Sequence, residues 1–136
     1  MDEKGFMIGC SRSTKRIVTR EAYARGQLIG AQHDGNREWV TLLAAIVAIG
    51  QKLSPALIYK GESYDLQSTW IEDVKPRDQV YFASSCNGWS SNNHGLAYLK
   101  KVLDPQTRAQ ACHRYRLLIM DGHSSHVNLE FINYCN

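Results

Sequence analysis

The first regular pattern along the chain is a run of small and β-branched apolar residues from Thr41 to Ile49, ended by Gly50. Apolar at odd and even positions alike and bounded by a turn residue, it predicts a strand buried on both faces. Leu53 to Tyr59 repeats the pattern after the short Gly50 to Lys52 connection, so the two runs predict an antiparallel hairpin. Pro55 cannot donate to a ladder and points to an edge position. A third short run, Gln79 to Ala83, ends in the turn chemistry of Ser84 to Gly88. A helix is then expected, with Ser90 or Ser91 as N-cap, Leu96, Leu99, Val102 and Leu103 at helical spacing, and Asp104-Pro105 either stopping it or opening a second short helix. Tyr115 to Met120 is the strongest buried-strand pattern in the chain, closed by Asp121-Gly122. From a cap at Ser124 or Ser125, Val127, Phe131, Ile132, Tyr134 and Cys135 predict an amphipathic helix. The expected core is Leu43, Ala45, Val47, Ile49, Leu57, Tyr59, Leu117, Ile119 and Met120, covered by Leu96, Leu99 and Leu103. Strands, then a helix, then a strand entering a helix is the order of a mixed α/β sheet.

Composition narrows the class. A chain of 136 residues, 43% hydrophobic and 21% charged, is expected to be one domain or part of one over 1–136, and neither a disordered tail nor a collagen-like chain. The formal net charge of +3 is too small to argue nucleic-acid binding as a bulk property. Its distribution is uneven: Cys10 to Arg25 and Lys100 to Arg116 each hold five basic residues against one acid, while Glu38 to Leu99 holds four against six. The two basic segments form one phosphate-facing surface if the fold brings them together, and otherwise a solvated face. No start-of-chain run resembles a signal peptide, and no apolar run nears the ~20 residues that cross a bilayer. Cys10, Cys86, Cys112 and Cys135 are scattered, and without a secretory signal they read as reduced thiols.

Asp121 is the sharpest site candidate. It follows four apolar residues of a presumed central strand, at the carboxyl end where open α/β sheets place their chemistry. A lone Asp there is also a common turn or N-cap residue. Asp2 and Glu3 are a second acidic pair, and two carboxylates from neighbouring strands can share a hard divalent cation. His123 and His126 supply hydrogen bonds around Asp121 or contact a phosphate; with Cys135 they also sketch a zinc site, but no fourth ligand has a customary spacing. Cys112-His113 adjacency does not give the geometry of a nucleophile and its base. Neither glycine-rich nucleotide-binding pattern occurs.

Five ordered segments carry a resemblance: D-E-K-G-F (Asp2 to Phe6), N-R-E-W-V-T (Asn36 to Thr41), P-A-L-I-Y-K-G (Pro55 to Gly61), N-G-W (Asn87 to Trp89) and L-L-I-M-D-G-H-S-S-H-V (Leu117 to Val127). The chain resembles the catalytic domain of DDE superfamily endonucleases of the pogo/Tigger transposase group, which includes the centromere protein B and Jerky relatives. That resemblance implies an α/β, ribonuclease-H-like mixed sheet with flanking helices, incomplete at both ends within these residues. It implies a nuclear protein that acts on DNA through three acids and two Mg²⁺ or Mn²⁺ ions. Asp2 matches the first acid and Asp121 the second, both as catalytic and metal-binding residues, with His123 and His126 supporting them. The third acid of the family lies on a later helix, beyond Asn136, and Glu130 does not match it. Arg12, Lys15, Arg16, Lys100 and Lys101 are the candidate phosphate contacts, and no membrane partner is implied. The resulting expectation is a transposase-derived domain inactive as this fragment; the alternatives are a non-catalytic DNA- or chromatin-binding module and a transposon remnant without activity.

Overall fold

Four strands form a mixed sheet in the order β1 (Asp2–Ile8), β2 (Glu38–Ala44), β3 (Ala56–Lys60), β4 (Tyr81–Ser85). The computed structural model describes residues 1–9, 19–25, 38–62, 67–75, 77–112, 114–122 and 128–136. Arg12, Lys15, Arg16, His123 and His126, and the expected caps Ser124 and Ser125, lie outside the described residues. β1 and β2 are antiparallel with Asp2 opposite Ala44, β2 and β3 are antiparallel with Leu43 opposite Ala56, and β3 and β4 run parallel with Ala56 opposite Tyr81. The expected hairpin is therefore present. β3 is an interior strand, which corrects the edge position read from Pro55. The proline sits one residue before the ladder, where its missing N–H is not needed, and its carbonyl accepts the N–H of Tyr81 at 2.9 Å.

β2 ends at Ala44, not at Ile49. Turn bonds take over, Val47 N–H donating to Gln51 O and Gly50 N–H to Val47 O, both at 2.8 Å. Ile46 and Ile49 consequently stand exposed, and Ile49 leaves the expected core. One sheet face carries Leu43, Ala56 and Ile58 against the helices, together with Tyr98 and Val102. Leu57 and Tyr59 belong to the opposite face, where Tyr59 stacks on Trp70 with ring centroids 4.2 Å apart. The core expectation in β3 was thus off by one residue, and one residue inverts the face of a strand. A-L-I-Y is apolar at both parities, so only its pairing with β2 selects the buried set.

The helical layer is one long rod. Ser91, one of the two expected N-caps, caps α2 (Asn92–Tyr98), and His94 completes a capping box with it. Asp104-Pro105 does not stop it: α2 widens through a π turn, Leu99–Leu103, and continues as α3 (Asp104–Ala111). Asp104 N–H donates to Leu99 O, five residues back, and this wider turn accommodates the ring and missing donor of Pro105 at the start of α3.

Tyr115 to Met120 is the largest departure from expectation. The segment is extended but joins no ladder among the described residues, and Tyr115, Leu117 and Ile119 are exposed. Leu118 and Met120 alternate inward onto Leu96, Leu99 and the fully buried Phe131. The helical layer covers only one side of the segment, so alternate residues remain outside. Phe131 comes from α4 (Leu129–Cys135), whose N-cap is Asn128, its Oδ1 accepting Phe131 N–H at 2.6 Å. A short helix, α1 (Arg20–Ala24), and a 3-10 turn, Ser68–Trp70, complete the described elements.

Candidate functional site

Asp2 opens β1 on the sheet face away from α2, solvent-exposed, with Oδ1 accepting the N–H of Glu3 at 2.8 Å. Glu3 points to the opposite face by strand alternation, where Ser90 Oγ donates to its carboxylate at 2.5 Å. Glu3 carried no separate role in the sequence pattern; this bond ties the first strand to the N-terminus of the helical rod. Asp121 directly follows the extended segment and is exposed. The terminal ammonium of Met1 donates to Ile119 O at 3.0 Å, so the residue before Asp2 touches the residue two before Asp121. Both acids therefore belong to adjacent segments, though not to two paired central strands: β1 is an edge of the ladder among the described residues.

The donor chemistry suits a hard divalent cation, which takes carboxylate oxygens and keeps several waters. The donor count suits one such ion, and no group of three His, Cys, Asp or Glu side chains converges among the described residues. Asp2 and Asp121 are the two that would hold it.

The strongest electrostatic feature is one the sequence reading missed. Asp104, read as a helix stop or cap, is only 6% exposed and accepts Arg116 on Oδ1 and Arg108 on Oδ2, each at 2.5 Å, with Tyr134 Oη at 3.2 Å. The Arg116 hydrogen bond, then those of Arg108 and Tyr134, hold its carboxyl below the usual carboxylate range against the opposing effect of burial. Arg116 also donates to the Asp104 carbonyl at 3.0 Å. Asp104 thus joins α3, the segment leading to Asp121, and α4. The i, i+4 spacing of Asp104 and Arg108 was a readable signal; the contact with Arg116 was not. A cleft of about 630 Å³ opens beside this cluster, with Arg114 and Tyr115 at its rim.

Lys100 and Lys101 are exposed on the π turn, and Lys100 Nζ lies 5.3 Å from the centroid of the Tyr134 ring. Of the first basic segment, only Arg20 and Arg25 fall among the described residues, and Arg25 faces Glu21 across an exposed 3.9 Å pair of little energetic weight. Cys86, Cys112 and Cys135 are free thiols, as expected.

No helix among the described residues is long and apolar enough to cross a membrane. No solved structure matches the chain. A curated protein of Cochliobolus lunatus named MFS-type transporter clz9 is 37% identical over 134 residues, covering 98% of this chain and 14% of that protein. The transporter name describes the whole of that protein, of which this chain spans a small part. Residues 36–136 match the DDE superfamily endonuclease family, a span that includes the hairpin, the helical rod, Asp121 and α4. With three quarters of its length matched, the chain belongs to the DDE superfamily endonucleases.

Proposed function

We propose that this chain is a transposase-derived endonuclease domain of pogo/Tigger type with a ribonuclease-H-like fold, acting on DNA in the nucleus. Asp2 and Asp121 supply its first two acids. The observation that carries this reading is the contact of Met1 with Ile119, which sets the strand beginning at Asp2 beside the segment ending at Asp121. When bound there, Mg²⁺ or Mn²⁺ supplies Lewis-acid stabilisation of charge on the phosphoryl oxygens. The chain's own part is to hold such an ion with two carboxylates, which without it would repel a phosphodiester, while Glu3–Ser90 and the Asp104 cluster anchor the segments that carry them. Lys100 and Lys101, with Arg12, Lys15 and Arg16, contact phosphates, and His123 and His126 support Asp121.

A second reading, a non-catalytic DNA-binding module, gains from the donor count: two exposed carboxylates suit one ion, whereas two-metal cleavage fixes two. Binding of a fluorescent duplex to the chain, measured against salt, tests what both readings share. Affinity falling steeply with salt, with little preference among sequences and weakened by Lys100→Glu with Lys101→Glu, is expected. Salt-independent binding, or none, would overturn it. Nicking of supercoiled DNA shows whether the two acids of this chain suffice for cleavage, which the leading reading does not expect. With Mg²⁺ or Mn²⁺, the 136-residue chain and Asp121→Asn should show the same background; metal-dependent nicking lost in the variant would establish cleavage by this chain alone.

A further inference from the structure

The N-G-W segment is absorbed by neither the acids nor the basic residues, yet it is among the most firmly built surface features. Trp89 is 54% exposed and stacks on Trp39 with ring centroids 5.4 Å apart and planes 18° from parallel. Its backbone is fixed from both sides. Trp89 N–H donates to Asn87 Oδ1 at 3.0 Å, and Ser85 Oγ donates to Trp89 O at 2.8 Å. Thr41 Oγ1 donates to Gly88 O at 2.7 Å. Gly88 has φ +75°, and a Cβ there would fall 2.0 Å from Trp39 O, so the turn requires glycine. Gly5 is needed for the same construction: a Cβ on it would enter the Trp39 ring.

An exposed indole normally costs solubility and gains nothing by being held rigid. Here it is backed by a second indole and locked by three side-chain hydrogen bonds, which leaves a preorganised aromatic plate facing solvent. Its surroundings select a ligand. Continuing the β2–β3 register places Lys60 opposite Trp39 on the same sheet face, and Lys60 is exposed. Ser90, the next residue, bonds Glu3 beside Asp2. A flat π surface, a lysine at the neighbouring register position and a hydrogen bond through Ser90 to the segment next to the first acid together fit one nucleotide unit: a base on the ring and its phosphate on the lysine.

We propose that Trp89, backed by Trp39 and flanked by Lys60, is a stacking site for an unpaired nucleobase of a single-stranded DNA segment. This rests on the DNA reading above and adds to it a substrate form and a residue. A base inside a duplex has both faces covered by its neighbours, so the plate favours single strands or frayed ends.

The test uses the full chain and three fluorescent probes: a short oligothymidylate, the same sugar–phosphate chain without bases, and a duplex. The wild type should bind oligothymidylate more tightly than the abasic strand, with quenching of tryptophan emission. Trp89→Ala should weaken oligothymidylate binding about tenfold while leaving the abasic strand unchanged, and Trp89→Phe should retain most of the affinity. Lys60→Gln should weaken both single strands. Oligothymidylate binding by Trp89→Ala equal to wild type, or an equal loss on both single strands, would overturn the stacking site and leave the DNA reading standing. No binding of any probe by the wild type would overturn the DNA reading, and the stacking site with it. Near-ultraviolet circular dichroism of Trp89→Phe, expected to match the wild type in its melting transition, separates loss of stacking from loss of fold.

Discussion

Replacing Asp104 with Asn should loosen the protein at the junction that carries Asp121. Each oxygen of this carboxylate serves a different guanidinium, Arg116 on Oδ1 and Arg108 on Oδ2, so an amide must turn its NH₂ toward one of them. The Arg108 side chain is 71% exposed, and its share is that of a surface i, i+4 pair, a few tenths of a kcal/mol. Arg116 is 37% exposed and bonds the carboxylate and the backbone together; a hydrogen bond to a charged group contributes about 1.5–3 kcal/mol, here discounted for partial exposure. Tyr134 donates to the same carboxylate oxygen as Arg108, at 3.2 Å. The expected net loss at neutral pH is about 2–3 kcal/mol, read from urea unfolding at unchanged slope. The pH dependence fixes the cause. Because folding lowers this carboxyl's pKa, its contribution is complete above the unfolded value of about 3.9 and disappears as pH falls through the folded one. The gap between wild type and variant should therefore close on acidification below about pH 4. A variant as stable as wild type at neutral pH, or a gap that does not change with pH, would refute the reasoning.

Gly88→Ala should cost more than about 3 kcal/mol or prevent folding, since it combines a positive φ with a Cβ 2.0 Å from a carbonyl oxygen; thermal melting measures it. Leu117→Ser should change stability by less than about 0.5 kcal/mol because the side chain is 87% exposed, whereas Phe131→Ala, at 0% exposed, should cost about 3–5 kcal/mol in the same urea assay.

The sequence was most readable where local signals and tertiary packing agree. Ser91, one of two expected caps, announces the helix start, and Gly50 the hairpin turn. It was least readable where the chain is apolar on both parities. Leu57 and Ile58 are equally good core residues until Leu43 pairs with Ala56 and selects Ile58. Y-R-L-L-I-M has strand composition, but a ladder needs a partner, and the described residues provide only Met1. Asp104-Pro105 carries the chemistry of a stop, which a π turn one residue earlier overrides. For the site, the apolar run before Asp121 and the Asp2–Glu3 pair marked candidates, and the resemblance alone gave Asp2 and Asp121 their roles, since a single Asp after a strand has ordinary structural ones. The Asp104 cluster joins three elements, and only its i, i+4 half is written locally.

Mn²⁺ binding followed by electron paramagnetic resonance tests the central claim most directly, because the free-ion signal falls as carboxylates take up the metal. The wild-type chain should sequester a single ion, with Asp2→Asn and Asp121→Asn each weakening it about tenfold or more and Glu130→Gln leaving it unchanged. Equal Mn²⁺ affinity in wild type, Asp2→Asn and Asp121→Asn would contradict the assignment of these two acids to one cation site.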